Sequence, residues 1–96
     1  MKLFLILCLS LTAVEALAAS KLVGQININK ASEASLVLLP GVGPKRAKAI
    51  ITLRQKRPFR RAVQLRRVRG IGRRTLMKML PFVRLQGPTN LRRIGP

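Results

Sequence analysis

The sequence predicts an all-α fold in which two helix–turn–helix units pack into one small domain. Two observations predict it. Leu39-Pro40-Gly41-Val42-Gly43-Pro44-Lys45 returns in weaker form as Val68-Arg69-Gly70-Ile71-Gly72-Arg73-Arg74, and each copy is flanked by apolar residues at helical spacing. A shift of 29 residues carries Gly41 onto Gly70 and also Leu36 onto Leu65, Leu39 onto Val68, Val42 onto Ile71, Ala47 onto Leu76 and Ile50 onto Met79. Agreement of core and turn alike marks an internal duplication. Neither half could bury its apolar face alone.

The N-terminus has the pattern of an export signal. Lys2 supplies the positive start, Leu3 to Val14 an apolar run interrupted only by Ser10 and Thr12, and Ala16-Leu17-Ala18 a small-x-small cleavage site. Three segments are expected: a cleavable signal over 1–19, a folded domain over 20–84, and a basic flexible tail over 85–96. Cleavage near Ala18 or Ala19 would make the protein periplasmic or secreted. An uncleaved membrane anchor is the alternative, but the run falls short of the ~20 residues of a spanning helix and Glu15 follows it.

Within the domain, Ser20 to Lys30 is a lead-in with Val23, Ile26 and Ile28 as apolar anchors and Asn27 and Asn29 as turn formers. Ser32 suits the N-cap of a helix running to about Leu39, with Glu33 in its first turn. Pro44 suits the first position of the next helix, which runs to about Lys56 and turns Ala47, Ile50, Ile51 and Leu53 inward. Pro58 ends it, and Phe59 is a candidate plug for the core. A third helix over about Arg61 to Val68 is expected to carry Val63 and Leu65 inward. The fourth, over about Arg73 to Leu80, carries Leu76, Met79 and Leu80, and Pro81 closes it.

Composition narrows the function. Lys and Arg number 20 against 2 for Asp and Glu, a net charge of +18, so a polyanion is the expected partner. With Phe4, Phe59 and Phe82 as the only aromatic residues, base stacking is poorly supported and duplex backbone binding fits better. There is no His, Cys8 lies in the signal, and Glu33 is the one acidic side chain beyond it. That inventory excludes zinc sites, paired-carboxylate hydrolysis and Ser-His-Asp chemistry. A non-enzymatic binding protein is expected, with no cofactor, no metal and no small-molecule substrate.

The Gly-apolar-Gly turns are where a polyanion would be held. Glycine tolerates positive φ and close approach of another molecule, and the helix that follows has free amides and a positive dipole end, both suited to phosphate. The candidate DNA-binding residues are Gly41, Val42, Gly43, Lys45, Arg46 and Lys48 in the first copy. In the second they are Gly70, Ile71, Gly72, Arg73, Arg74 and Lys78. The arginines at 54, 57, 60, 66, 67 and 84 are as readily a solvated basic face.

In order and spacing, Ile26-Asn27-Ile28-Asn29-Lys30-Ala31-Ser32, Leu39 to Ala47, Pro58-Phe59 and Val68 to Gly72 resemble the tandem helix-hairpin-helix domain of ComEA-type competence DNA receptors. The resemblance spans roughly residues 25 to 84. It implies a small helical domain of the SAM or RuvA-domain-2 kind, its two hairpins related by a pseudo-two-fold axis and gripping both strands of duplex DNA across the minor groove without reading sequence. It also implies work beside other components of a DNA-uptake machinery. Two departures stand out. Arg61 and Gln64 occupy positions where the family has a capping Ser or Thr and an Asp, and Arg73 replaces the Pro after the second Gly-x-Gly.

The leading expectation is therefore an exported, sequence-independent binder of double-stranded DNA acting in natural transformation. Two alternatives keep the charge but change the role: a cationic secreted protein for anionic membrane or polysaccharide, and a DNA-binding accessory subunit of an exported nuclease.

Overall fold

Helices carry the centre of the chain and short strands close its ends in the computed structural model, which describes residues 21–95. The expected export signal lies outside the described residues. In order come β1 (Lys21–Val23), β2 (Ile26–Asn27), α1 (Glu33–Leu36), α2 (Pro44–Lys56), a 3-10 segment (Ala62–Arg67) and α3 (Arg73–Met79). A 3-10 turn (Leu80–Phe82), β3 (Val83–Arg84) and β4 (Arg92–Ile94) complete the chain. The all-α expectation thus needs correcting, since two small sheets accompany the helices.

Local chemistry sets each helix. Ser32 caps α1, its Oγ accepting from the Ser35 N–H at 3.2 Å. The helix lasts one turn, then tightens into i→i−3 bonds from Leu38 to Ser35 and from Leu39 to Leu36. Pro40 explains the shortening, because the residue before a proline is driven out of the helical region. α2 begins with Pro44 at its first position and Gly43 as N-cap, and Pro58 follows its end.

The third helix differs from expectation in kind. It is a 3-10 segment, so residues three apart share a face: Leu65 and Val68 are buried and Ala62 is half-buried, while Val63 is 45% exposed. The expectation of Val63 facing inward is corrected: it stands two residues from buried Leu65, a spacing that shares no face of an α-helix or of a 3-10 helix, so Val63 turns outward.

The core draws on both halves of the repeat. Leu36, Leu39, Val42, Ala47 and Ile50 are buried, and so are their counterparts Leu65, Val68, Ile71, Leu76 and Met79. Ile26, Ile28 and Phe59 join them. Each large side chain contributes about 1.5–3 kcal/mol by leaving water.

The C-terminal segment is packed, contrary to the expected loose tail. β4 pairs antiparallel with β1, Leu22 opposite Arg93, and β3 pairs parallel with β2, Ile26 opposite Val83. Leu91 is buried. Asn27, 2% exposed, donates from its N–H to Thr89 Oγ1 at 2.9 Å and from Nδ2 to the Gly87 carbonyl at 2.8 Å. Its Oδ1 accepts from the Asn29 N–H. Buried polar atoms that find partners within the chain hold a segment that composition alone marks as loose.

Candidate nucleic-acid interface

Both Gly-apolar-Gly turns are built alike. The first glycine has positive φ, 80° at Gly41 and 96° at Gly70, in the region glycine adopts without strain. The apolar residue is buried and closes the turn, Val42 N–H to Leu39 carbonyl at 3.1 Å and Ile71 N–H to Val68 carbonyl at 3.0 Å. The last glycine is an extended N-cap, with φ −94° at both Gly43 and Gly72.

Neither helix start is capped by a side chain. The leading amides of α2 and α3 lack intrahelical acceptors by the geometry of a helix start, and the positive dipole end adds to the field there. Nothing stands within 4 Å of where a Cβ would sit on Gly43 or Gly72. The approach to both helix starts is open.

The two turns also touch, and they do so reciprocally. The Arg46 guanidinium, in the first turn of α2, lies against Gly70 of the other turn and donates from Nη1 to the Gly41 carbonyl at 2.8 Å. Thr75, in the first turn of α3, lies against Gly41, its Cγ2 only 2.5 Å from where a Cβ would be. Arg46 and Thr75 are equivalent positions under the 29-residue shift.

A groove of about 510 Å³ opens beside this contact, lined by Gly43, Pro44, Lys45, Arg46 and Ala49 from the first unit and by Arg69 and Gly70 from the second. Of the twelve candidate residues, Gly43, Lys45, Arg46 and Gly70 meet there. Val42 and Ile71 serve as buried anchors for their turns. Arg73, Arg74 and Lys78 are exposed on α3 and do not line the groove. Lys48 lies 4.0 Å from Glu33 Oε1, an oxygen with no hydrogen-bond partner among the described residues.

Arg69 and Thr75 are additions the sequence analysis left out of the site. Arg69 stands directly before Gly70, at the place Pro40 holds in the first turn, and that position was the available signal. Thr75 had none beyond its equivalence to Arg46.

Arg54 leaves the basic face instead. Its Nη1 donates to the carbonyls of Ile28 at 3.1 Å and Ala31 at 2.7 Å, tying the lead-in to α2. Burial pulls its pKa below the usual arginine value, yet a guanidinium remains charged in proteins.

Residues 23–84 match the family model described as "Helix-hairpin-helix motif". The chain belongs to the helix-hairpin-helix family. No curated protein matches it. The motif is a nucleic-acid-binding one, and DNA is the partner class it supports. In this helix-hairpin-helix protein the hairpins are the two Gly-apolar-Gly turns, each set between the apolar segment before it and the helix after it.

Proposed function

We propose that the protein binds double-stranded DNA through its phosphate backbone, without reading sequence, by using both hairpins as one two-part clamp. The observation that carries this reading is the reciprocal contact of Arg46 with Gly70 and Thr75 with Gly41. It holds two uncapped helix starts in one fixed spacing, as a pseudo-two-fold pair would require. Amides at each start would take a phosphate oxygen. Lys45 and Arg69 on the groove, with Arg73 and Arg74 on α3, would add charge.

The order of motifs, similar to that of ComEA-type receptors, supports a role in capturing external DNA during natural transformation. The N-terminal pattern over 1–19 supports export to the periplasm or beyond. In this reading the protein is a binding component with no catalysis of its own.

A salt titration tests the clamp. Neutralising ~6 phosphates gives a slope of log K against log salt of about −5 on duplex DNA, with weaker binding to single-stranded DNA and to vesicles of anionic lipid. Equal affinity for all three, or a slope near zero on the duplex, would overturn it.

A further inference from the structure

One group of cations stands at the far end of α2 from the first hairpin. Lys56, Arg57, Arg60 and Arg61 fall within six residues and all four are exposed. They sit at or beyond the C-terminal end of α2, a helix of 13 residues. At 1.5 Å per residue this end lies roughly 20 Å from Pro44.

The loop that carries them is internally fixed. Phe59 is buried, its N–H donating to Asn29 Oδ1 at 2.7 Å and its carbonyl accepting from Asn29 Nδ2 at 2.9 Å. Gln64 Oε1 accepts from the N–H groups of Arg60 at 2.9 Å and Arg61 at 3.4 Å. Backbone and apolar side chain are thus held inward while the four charges stay in water. No carboxylate offsets them, because Glu33 is the only acidic residue among the described ones and it faces Lys48.

Direction matters as well. The free amides of α2 point along its axis toward the N-terminal side, so a phosphate held there lies beyond Gly43. The far end of the helix then points away from that duplex.

We propose that the Lys56–Arg61 loop is a second duplex-binding surface, so that one domain holds two DNA segments at once. The proposal rests on the reading of the hairpins as a duplex clamp. Three of the four cations are arginines, whose planar forks take phosphate oxygens in pairs, and a duplex offers those oxygens at regular spacing. A lipid surface fits less well, since membrane-surface binding draws on exposed large apolar side chains and the loop's one large apolar residue, Phe59, is buried.

A bridging assay on the full-length chain tests it. One duplex is fixed to beads and a second, labelled duplex is supplied in solution. The wild type should retain the labelled duplex. K56A/R57A/R60A/R61A, which leaves Phe59, Asn29 and Gln64 in place, should bind the bead duplex within about 3-fold of wild type yet capture at least 10-fold less of the second. K21A/K30A/R92A/R93A removes the same charge elsewhere and should still bridge. G43D/G72D should lose bridging while keeping one duplex on the loop.

Bridging by the loop variant would overturn the second surface, as would equal loss in the charge-matched control. So would sedimentation of the wild type as a dimer with one duplex per subunit, or displacement of the second duplex by phosphatidylglycerol vesicles. Bridging by G43D/G72D would instead overturn the hairpin clamp.

Discussion

The guanidinium of Arg46 lies so close over Gly70 that a Cβ there would stand 2.8 Å from its Cζ. The same group holds the Gly41 carbonyl at 2.8 Å, so one side chain spans both hairpins. These contacts fit Arg46 to space the hairpins, and its place on the groove fits it to meet a phosphate.

The two roles separate in a salt titration. Arg46→Ala should lower duplex affinity about 10-fold with little change in slope, because hairpin spacing is lost but no phosphate contact is. Lys45→Ala should reduce the slope by about 0.9, the share of one phosphate. A full 0.9 decrease for Arg46→Ala would reassign it as a ligand. The lost bond should also cost on the order of 1 kcal/mol of stability.

The C-terminal segment closes the fold, so its removal should be felt far from its own position. Ending the chain at Gln86 deletes buried Leu91, the Thr89 bond to Asn27 and the β4 pairing with β1. About 3 kcal/mol is expected from the apolar burial and hydrogen bonds lost, and a fall in Tm of roughly 15 °C follows for a domain this size. Asn27→Ala should cost about 2 kcal/mol by leaving the Gly87 carbonyl and the Asn29 N–H without their partner. Unchanged melting of the truncated chain would mean that these contacts contribute little.

The hairpins were legible because their signals are local. Glycine at positive φ, proline at a helix start and apolar residues at helical spacing each act within a few residues, and all ten repeat-paired core positions are buried. What stayed hidden depends on partners far along the chain. Asn27 and Asn29 look like turn formers, yet their amides bond 60 and 30 residues away, to Gly87 and Phe59. Arg54 looks like a surface charge until Ile28 and Ala31 turn their carbonyls to it. The small sheets fall in the same class, since β1 and β2 find partners only at the opposite end of the domain.

Val63 and Leu65 give a local test of which face of the 3-10 segment packs inward. Two residues apart, they cannot share a face of the segment, and Val63 is 45% exposed while Leu65 is fully buried. Val63→Ser should therefore change stability by less than about 0.5 kcal/mol. Leu65→Ala should cost about 2–5 kcal/mol. Denaturant melts of the two variants check the register, and similar losses for both would contradict it.

The four hairpin glycines divide into two kinds, and the division is measurable. Gly41 and Gly70 have positive φ and lie against Thr75 and Arg46, so alanine at either should cost about 1–3 kcal/mol through backbone strain and crowding. Gly43 and Gly72 are extended N-caps with open space beside them. Serine fits that conformation and caps a helix slightly better than glycine does, so G43S/G72S should melt at or a little above the wild-type temperature. Its hydroxyls would then occupy the amides and the space that a phosphate needs, and duplex affinity should fall about 10-fold. A double serine variant that folds well and binds DNA as tightly as the wild type would show that the helix starts are not where the backbone is held.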